Sequence, residues 1–157
     1  MSAAPLFLAA ALVACSAGVP SGSGGAPAAL PFEVVLDEGS SGLHERRREV
    51  VRDEAAWARL FAQIHEGVAP RKARPAVDFS RDMLVAVATG TRPSGGFDIQ
   101  VQGVTRRGGS LEVTVLETCP APGARVSLGL TQPVEVVRVP RVERDPMFQE
   151  ARTASCR

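Results

Sequence analysis

Three stretches decide the fold: Met83-Leu84-Val85-Ala86-Val87-Ala88-Thr89, then Phe97-Asp98-Ile99-Gln100-Val101-Gln102-Gly103-Val104-Thr105, then Leu111-Glu112-Val113-Thr114-Val115-Leu116-Glu117-Thr118. The first is apolar at almost every position, the pattern of a strand buried on both faces. The second alternates, with Phe97, Ile99 and Val101 on one face and Asp98, Gln100 and Gln102 on the other. The third repeats that alternation, turning Leu111, Val113 and Val115 inward and Glu112 and Thr114 outward. Arg106-Arg107-Gly108-Gly109 lies between the last two as a hairpin loop, so they pair antiparallel.

Working outward, residues 32–36 (Phe-Glu-Val-Val-Leu) read as a first strand closed by the turn Gly39-Ser40-Ser41-Gly42. Residues 45–52 alternate poorly and read either as a second strand ending in Val50-Val51 or as the start of a helix. The clear helix follows. Asp53 is its N-cap, Glu54 suits the positive end of the dipole, and Gly67 is a natural stop. Trp57, Leu60, Phe61 and Ile64 recur at helical spacing and form one apolar stripe, which reads as core and not as a cofactor site. Burying four such side chains contributes roughly 6–12 kcal/mol before ordering costs. Residues 68–76 form a connector broken by Pro70 and Pro75, with Arg71, Lys72 and Arg74 in it. Residues 134–139 supply a last strand ended by Pro140. Residues 144–157 are polar, interrupted by Pro146, and read as a mobile tail unless Cys156 ties them down. Strands outnumber helices, so the expected class is α+β: a small antiparallel sheet of about five to six strands packed by one amphipathic helix.

The chain has 157 residues, one domain or one domain plus a tail. Its 18 Lys and Arg against 17 Asp and Glu leave a net charge of +1, which gives no electrostatic footprint for nucleic acid. Charge is unevenly placed: no Asp, Glu, Lys or Arg precedes Glu33. The apolar run before Cys15 is too short to span a bilayer, which takes ~20 residues, and has the length of a signal-peptide core. Leu12-Val13-Ala14-Cys15 resembles the bacterial lipobox, making Cys15 the expected lipidation site. The expected organisation is a lipoprotein-type signal peptide over 1–14, a Ser/Gly/Ala/Pro tether over 15–31, the folded domain over 32–141 and a tail over 142–157. The expected location is the bacterial cell envelope, lipid-anchored. In such an oxidising compartment Cys119 and Cys156 are expected to form a disulfide, worth roughly 4 kcal/mol by chain entropy. The alternative is a small buried Cys119 and a frayed thiol at Cys156.

Catalytic chemistry finds little support. His44 and His65 are the only histidines, and no metal-ligand spacing joins them to acids or cysteines. No Gly-x-Ser-x-Gly elbow is present, and the sole lysine, Lys72, sits in no phosphate loop. Asp78 and Asp82 read as turn and cap residues. The expectation is a non-enzyme with no catalytic residues, no metal, no cofactor and no small-molecule substrate.

The remaining feature is Arg92-Pro93-Ser94-Gly95-Gly96-Phe97, a stiffened, glycine-bearing loop leading into a strand. It reads either as a turn with Phe97 in the core or as a partner-binding loop. Together with Val77-Asp78-Phe79-Ser80, the apolar strand from Met83, residues 111–118 and Thr131-Gln132-Pro133-Val134-Glu135-Val136-Val137, it resembles the C-terminal domain of the PrcB family, subunits of a protease complex. The resemblance covers roughly residues 50–141, with Phe97 where that family usually has Tyr. It implies a non-catalytic envelope lipoprotein that associates with or stabilises an extracytoplasmic protease, for which residues 92–97 are the candidate partner-binding loop. Two other readings stay open. One is a loop-mediated peptidase inhibitor, since Pro93-Ser94-Gly95-Gly96-Phe97 is loosely similar to a chagasin-type loop. The other is an envelope lipoprotein with no protease partner.

Overall fold

The structure is a computed structural model that describes residues 27–68 and 73–156; the expected signal peptide, Cys15 and most of the expected tether lie outside the described residues. Among these residues the chain forms β1 (Ala28–Leu30), β2 (Glu33–Glu38), β3 (Arg46–Val51), α1 (Glu54–Ile64), β4 (Asp82–Thr89), β5 (Asp98–Arg107), β6 (Ser110–Thr118), β7 (Val134–Pro140) and β8 (Met147–Arg152). The strands make two four-stranded sheets, ordered β1-β5-β6-β8 and β2-β7-β4-β3. The architecture is α+β in three layers: helix, mostly buried sheet, half-wet sheet.

The layering follows from the patterns. Along β4, Leu84, Ala86 and Ala88 pack towards the helix with Trp57, Leu60 and Ile64, while Met83, Val85 and Val87 pack towards the other sheet with Ile99, Val113 and Val115. That is why β4 reads as continuously apolar: both faces are dry. Asp53 caps the helix, its Oδ1 accepting the Ala56 N–H at 2.8 Å. The helix stops at Ile64 with His65 as C-cap, and Gly67 follows in the left-handed region at φ 72°. Trp57 donates its indole N–H to the Pro75 carbonyl at 2.9 Å and so fastens the end of the connector onto the helix.

Several expectations need correction. The five to six strands of one sheet are eight strands in two. Residues 46–51 are strand, paired along their whole length with β4. Ala28–Leu30, inside the stretch read as tether, pairs with β5, and Met147–Arg152, inside the stretch read as tail, runs parallel to β6. Neither shows an apolar alternation, because each is an edge strand that buries little: of β8, only Phe148 packs against the core. The β6–β8 pair is also the exception to antiparallel pairing.

Two inward-facing positions among the described residues carry carboxylates, Glu117 and Glu135. Glu135 shares its parity on β7 with Val137 and Val139 and is almost completely buried. Its carboxylate accepts the Val101 N–H at 2.6 Å, where the β5–β6 register shifts between Val101 and Gly103. The bulge frees a backbone donor and Glu135 satisfies it. Burial pushes the Glu135 carboxyl up to about 6, with Asp37 and Asp98 adding to the rise and the Val101 bond opposing it. The native state therefore keeps a proton that the unfolded chain, with its carboxyl near 4.5, has released. This group's contribution to stability is full below about pH 4.5 and is lost as pH rises through about 6. Glu135→Gln keeps an acceptor for Val101 and removes the charge. Chemical denaturation at pH 4.5, 6 and 7.5 should show a fall on the order of 1–2 kcal/mol in the native chain that is absent from the variant.

Candidate functional site

Two of the four connections that carry the described chain from one sheet to the other, residues 90–97 and 119–133, lie at one end of the sandwich and are bonded to each other. Arg92 and Thr131 exchange backbone hydrogen bonds (Arg92 N–H to Thr131 O, 2.8 Å; Thr131 N–H to Arg92 O, 3.1 Å). The Thr131 hydroxyl donates to the Ser94 carbonyl at 2.8 Å, and the Gly95 N–H donates to the Ser127 carbonyl at 3.0 Å. Gly96 is required by its backbone conformation, and Gly95 leaves room for the Ser127 hydroxyl. A Cβ on Gly95 would lie 2.4 Å from Ser127 Oγ. Gly96 has φ 82°, and its Cβ would lie 3.0 Å from Val126 and 3.1 Å from Pro120. The loop at residues 92–97 is therefore a fixed surface feature, and Phe97 is half-exposed and belongs to neither apolar core. The partner loop projects two large apolar side chains into solvent: Leu128 is 96% exposed and Leu130 66%.

Beside this face is a cleft of about 370 Å³ lined by Phe97, Pro120, Ser155 and Cys156 among others. Residues 152–156, which supply part of this lining, fold back on β6. Thr153 N–H donates to the Glu117 carbonyl at 3.0 Å, the Ser155 hydroxyl donates to the Cys119 carbonyl at 2.7 Å, and a disulfide joins Cys119 to Cys156. The tail is thus ordered.

The floor of the cleft is charged. Glu117 continues the inward parity of Leu111, Val113 and Val115, and its side chain is only 4% exposed. Such a carboxylate needs matched cations, and four guanidiniums surround it. Arg46 and Arg48 come from β3 and reach Oε1, while Arg92 reaches Oε2 at 3.5 Å and Arg152 reaches it at 3.3 Å. Arg46 and Arg48 also pair with Glu150 on β8, Arg48 Nε donating to Oε1 at 2.7 Å and Arg46 to Oε2 at 2.8 Å. The Arg48 hydrogen bonds hold the Glu150 carboxyl below the ordinary range, against its partial burial. Arg92 also lies over the Phe97 ring, 5.6 Å from its centroid, a cation–π distance.

Of the residues singled out from sequence, Arg92, Phe97, Cys119 and Cys156 line this one cleft, while Pro93, Ser94, Gly95 and Gly96 form the adjoining clasped loop. His44 stays apart at the Thr91 hydroxyl and His65 at the Phe61 carbonyl. Asp78 accepts the Ser80 N–H at 3.0 Å as a turn residue. No group of three or more His, Cys, Asp or Glu is placed to hold a metal among the described residues. Glu117, the arginines of β3, Arg152 and the exposed leucines were not singled out. The parity of Glu117 carried a signal, because a carboxylate in register with three buried residues demands a cation.

Fold and site together define a small two-sheet α+β domain whose interlayer loops form a fixed face beside a cationic cleft. Residues 83–140, from β4 to the end of β7, match the family model described as PrcB C-terminal, so the resemblance to the PrcB family holds over the strands and loops that build the site. No curated protein and no solved structure matches the chain.

Removing the anion tests the cluster. Glu117→Gln leaves four guanidiniums facing one another and should cost about 3–5 kcal/mol in urea denaturation. Glu112→Gln, on the outward face of the same strand beside Arg107, should cost under about 1 kcal/mol.

Proposed function

We propose that this protein is a non-catalytic accessory subunit of the bacterial cell envelope, held to a membrane through a lipid on Cys15, that docks onto an extracytoplasmic protease and stabilises it. The observation that carries this reading is the exposure of Leu128 and Leu130 on a loop hydrogen-bonded to residues 92–95. Apolar side chains of that size on a rigid, glycine-packed support are the anchors that a partner surface covers. The likeness of residues 83–140 to the PrcB C-terminal family supports a protease-associated role. The docking face would comprise the loop at residues 92–97 and the two leucines.

The test is recovery of a peptidase with the tagged full chain from envelopes of the source bacterium, beside the double variant Leu128→Ser, Leu130→Ser. One peptidase should co-purify with the native chain and fall at least tenfold with the variant, while the melting temperature stays within about 3 °C. The peptidase should also lose abundance in cells lacking the chain. Equal recovery by both proteins, or none by either, would sink the reading.

A further inference from the structure

The cleft beside the docking face has more cation than its own acids neutralise. Within the cluster four guanidiniums meet two carboxylates, Glu117 and Glu150. Arg46 and Arg48 take Glu117 Oε1 and both oxygens of Glu150. Arg92 and Arg152 are left to share the single oxygen Glu117 Oε2, at 3.5 and 3.3 Å. Both separations exceed the roughly 2.7–2.9 Å of a well-formed charge-assisted bond. Arg92 Nε is moreover buried with no hydrogen-bond partner. These two arginines line the cleft, and Arg152 is 56% exposed, its guanidinium free to turn towards an incoming group.

The geometry points to a carboxylate-binding cleft, in which Arg152 and Arg92 hold the carboxylate of a peptide chain while its neighbouring apolar group lies against Phe97 and Pro120. The guanidinium fork fits a planar carboxylate through two parallel bonds. A volume of about 370 Å³ admits one terminal residue or one acidic side chain, not a folded segment. Phe97 and Pro120 favour a carboxylate that carries an apolar group over inorganic phosphate, which has no apolar part to lay against them. This deepens the docking reading by giving the partner a chemistry, and rests on that reading only for the identity of the partner.

The test is titration of the 15N-labelled full chain, followed by amide NMR, with four probes: acetyl-Gly-Gly-Leu as the free acid, the same peptide as its C-terminal amide, acetyl-Gly-Glu-Gly amide, and inorganic phosphate. The free acid should shift the Phe97, Arg152 and Cys156 amides along a saturable curve, and the Leu amide should not. Arg152→Gln should weaken the free acid at least tenfold, equal to about 1.4 kcal/mol, with little change in melting temperature because Arg152 is the most exposed of the four arginines and the other three still neutralise Glu117. Stronger binding by the internal-Glu peptide supports the cleft and assigns its ligand to an acidic side chain. Equal binding of the Leu acid and its amide, unchanged affinity in Arg152→Gln, or tighter binding of inorganic phosphate than of either acid overturns the proposal. Because no partner is present, a failed titration with intact peptidase capture removes the cleft and leaves the docking face, and the converse removes the docking face alone.

Discussion

Two open four-stranded sheets laid face to face have edges to close, and the ion pairs converging on Glu117 close one side. The carboxylate comes from β6 in one sheet, and Arg46 and Arg48 come from β3, the edge of the other. Glu150 on β8, the adjacent edge of the first sheet, takes the same two arginines. Strand edges left open expose unpaired backbone groups and invite pairing with other chains. On the opposite side the backbone itself does the closing, since the chain passes from β1 in one sheet to β2 in the other through Pro31 and Phe32. The sandwich is covalently continuous along one edge and ionic along the other.

That arrangement explains where the site sits. Parallel β6 and β8 both end near the loops at residues 90–97 and 119–133, so the last residues of the chain fall beside Cys119. Arginines needed to bury Glu117 thereby become the lining of a cleft, and the loops that carry the chain between layers become its rim. Structure and candidate function draw on the same side chains.

How far this could be read in advance depends on how much each element buries. β4, β5, β6, β7 and α1 each bury a full stripe or face, and periodicity found them with nearly correct boundaries. The Asp53 cap was legible because a side chain bonding its own backbone is a local event. β1 and β8 were not legible: edge strands are defined by what they pair with, and Ala28-Ala29-Leu30 or Met147-Phe148-Gln149 has no pattern that compels pairing. β3 was ambiguous because Arg46 and Arg48 alternate towards charge rather than towards oil. The site was half legible. Its glycine-bearing loop and its cysteines stood out as residue types, whereas the guanidinium cluster assembles from positions 46, 48, 92 and 152, which no local window contains.

The order β1-β5-β6-β8 also sets how the domain bears load. Whatever precedes residue 27 joins the fold at β1, a three-residue strand at one edge, bound to β5 through three residue pairs. The far edge ends in a covalent cross-link. A pull from the N-terminal side therefore meets its weakest junction first, and β1 peels before the sandwich opens. The end that carries the cleft is mechanically the last to feel it.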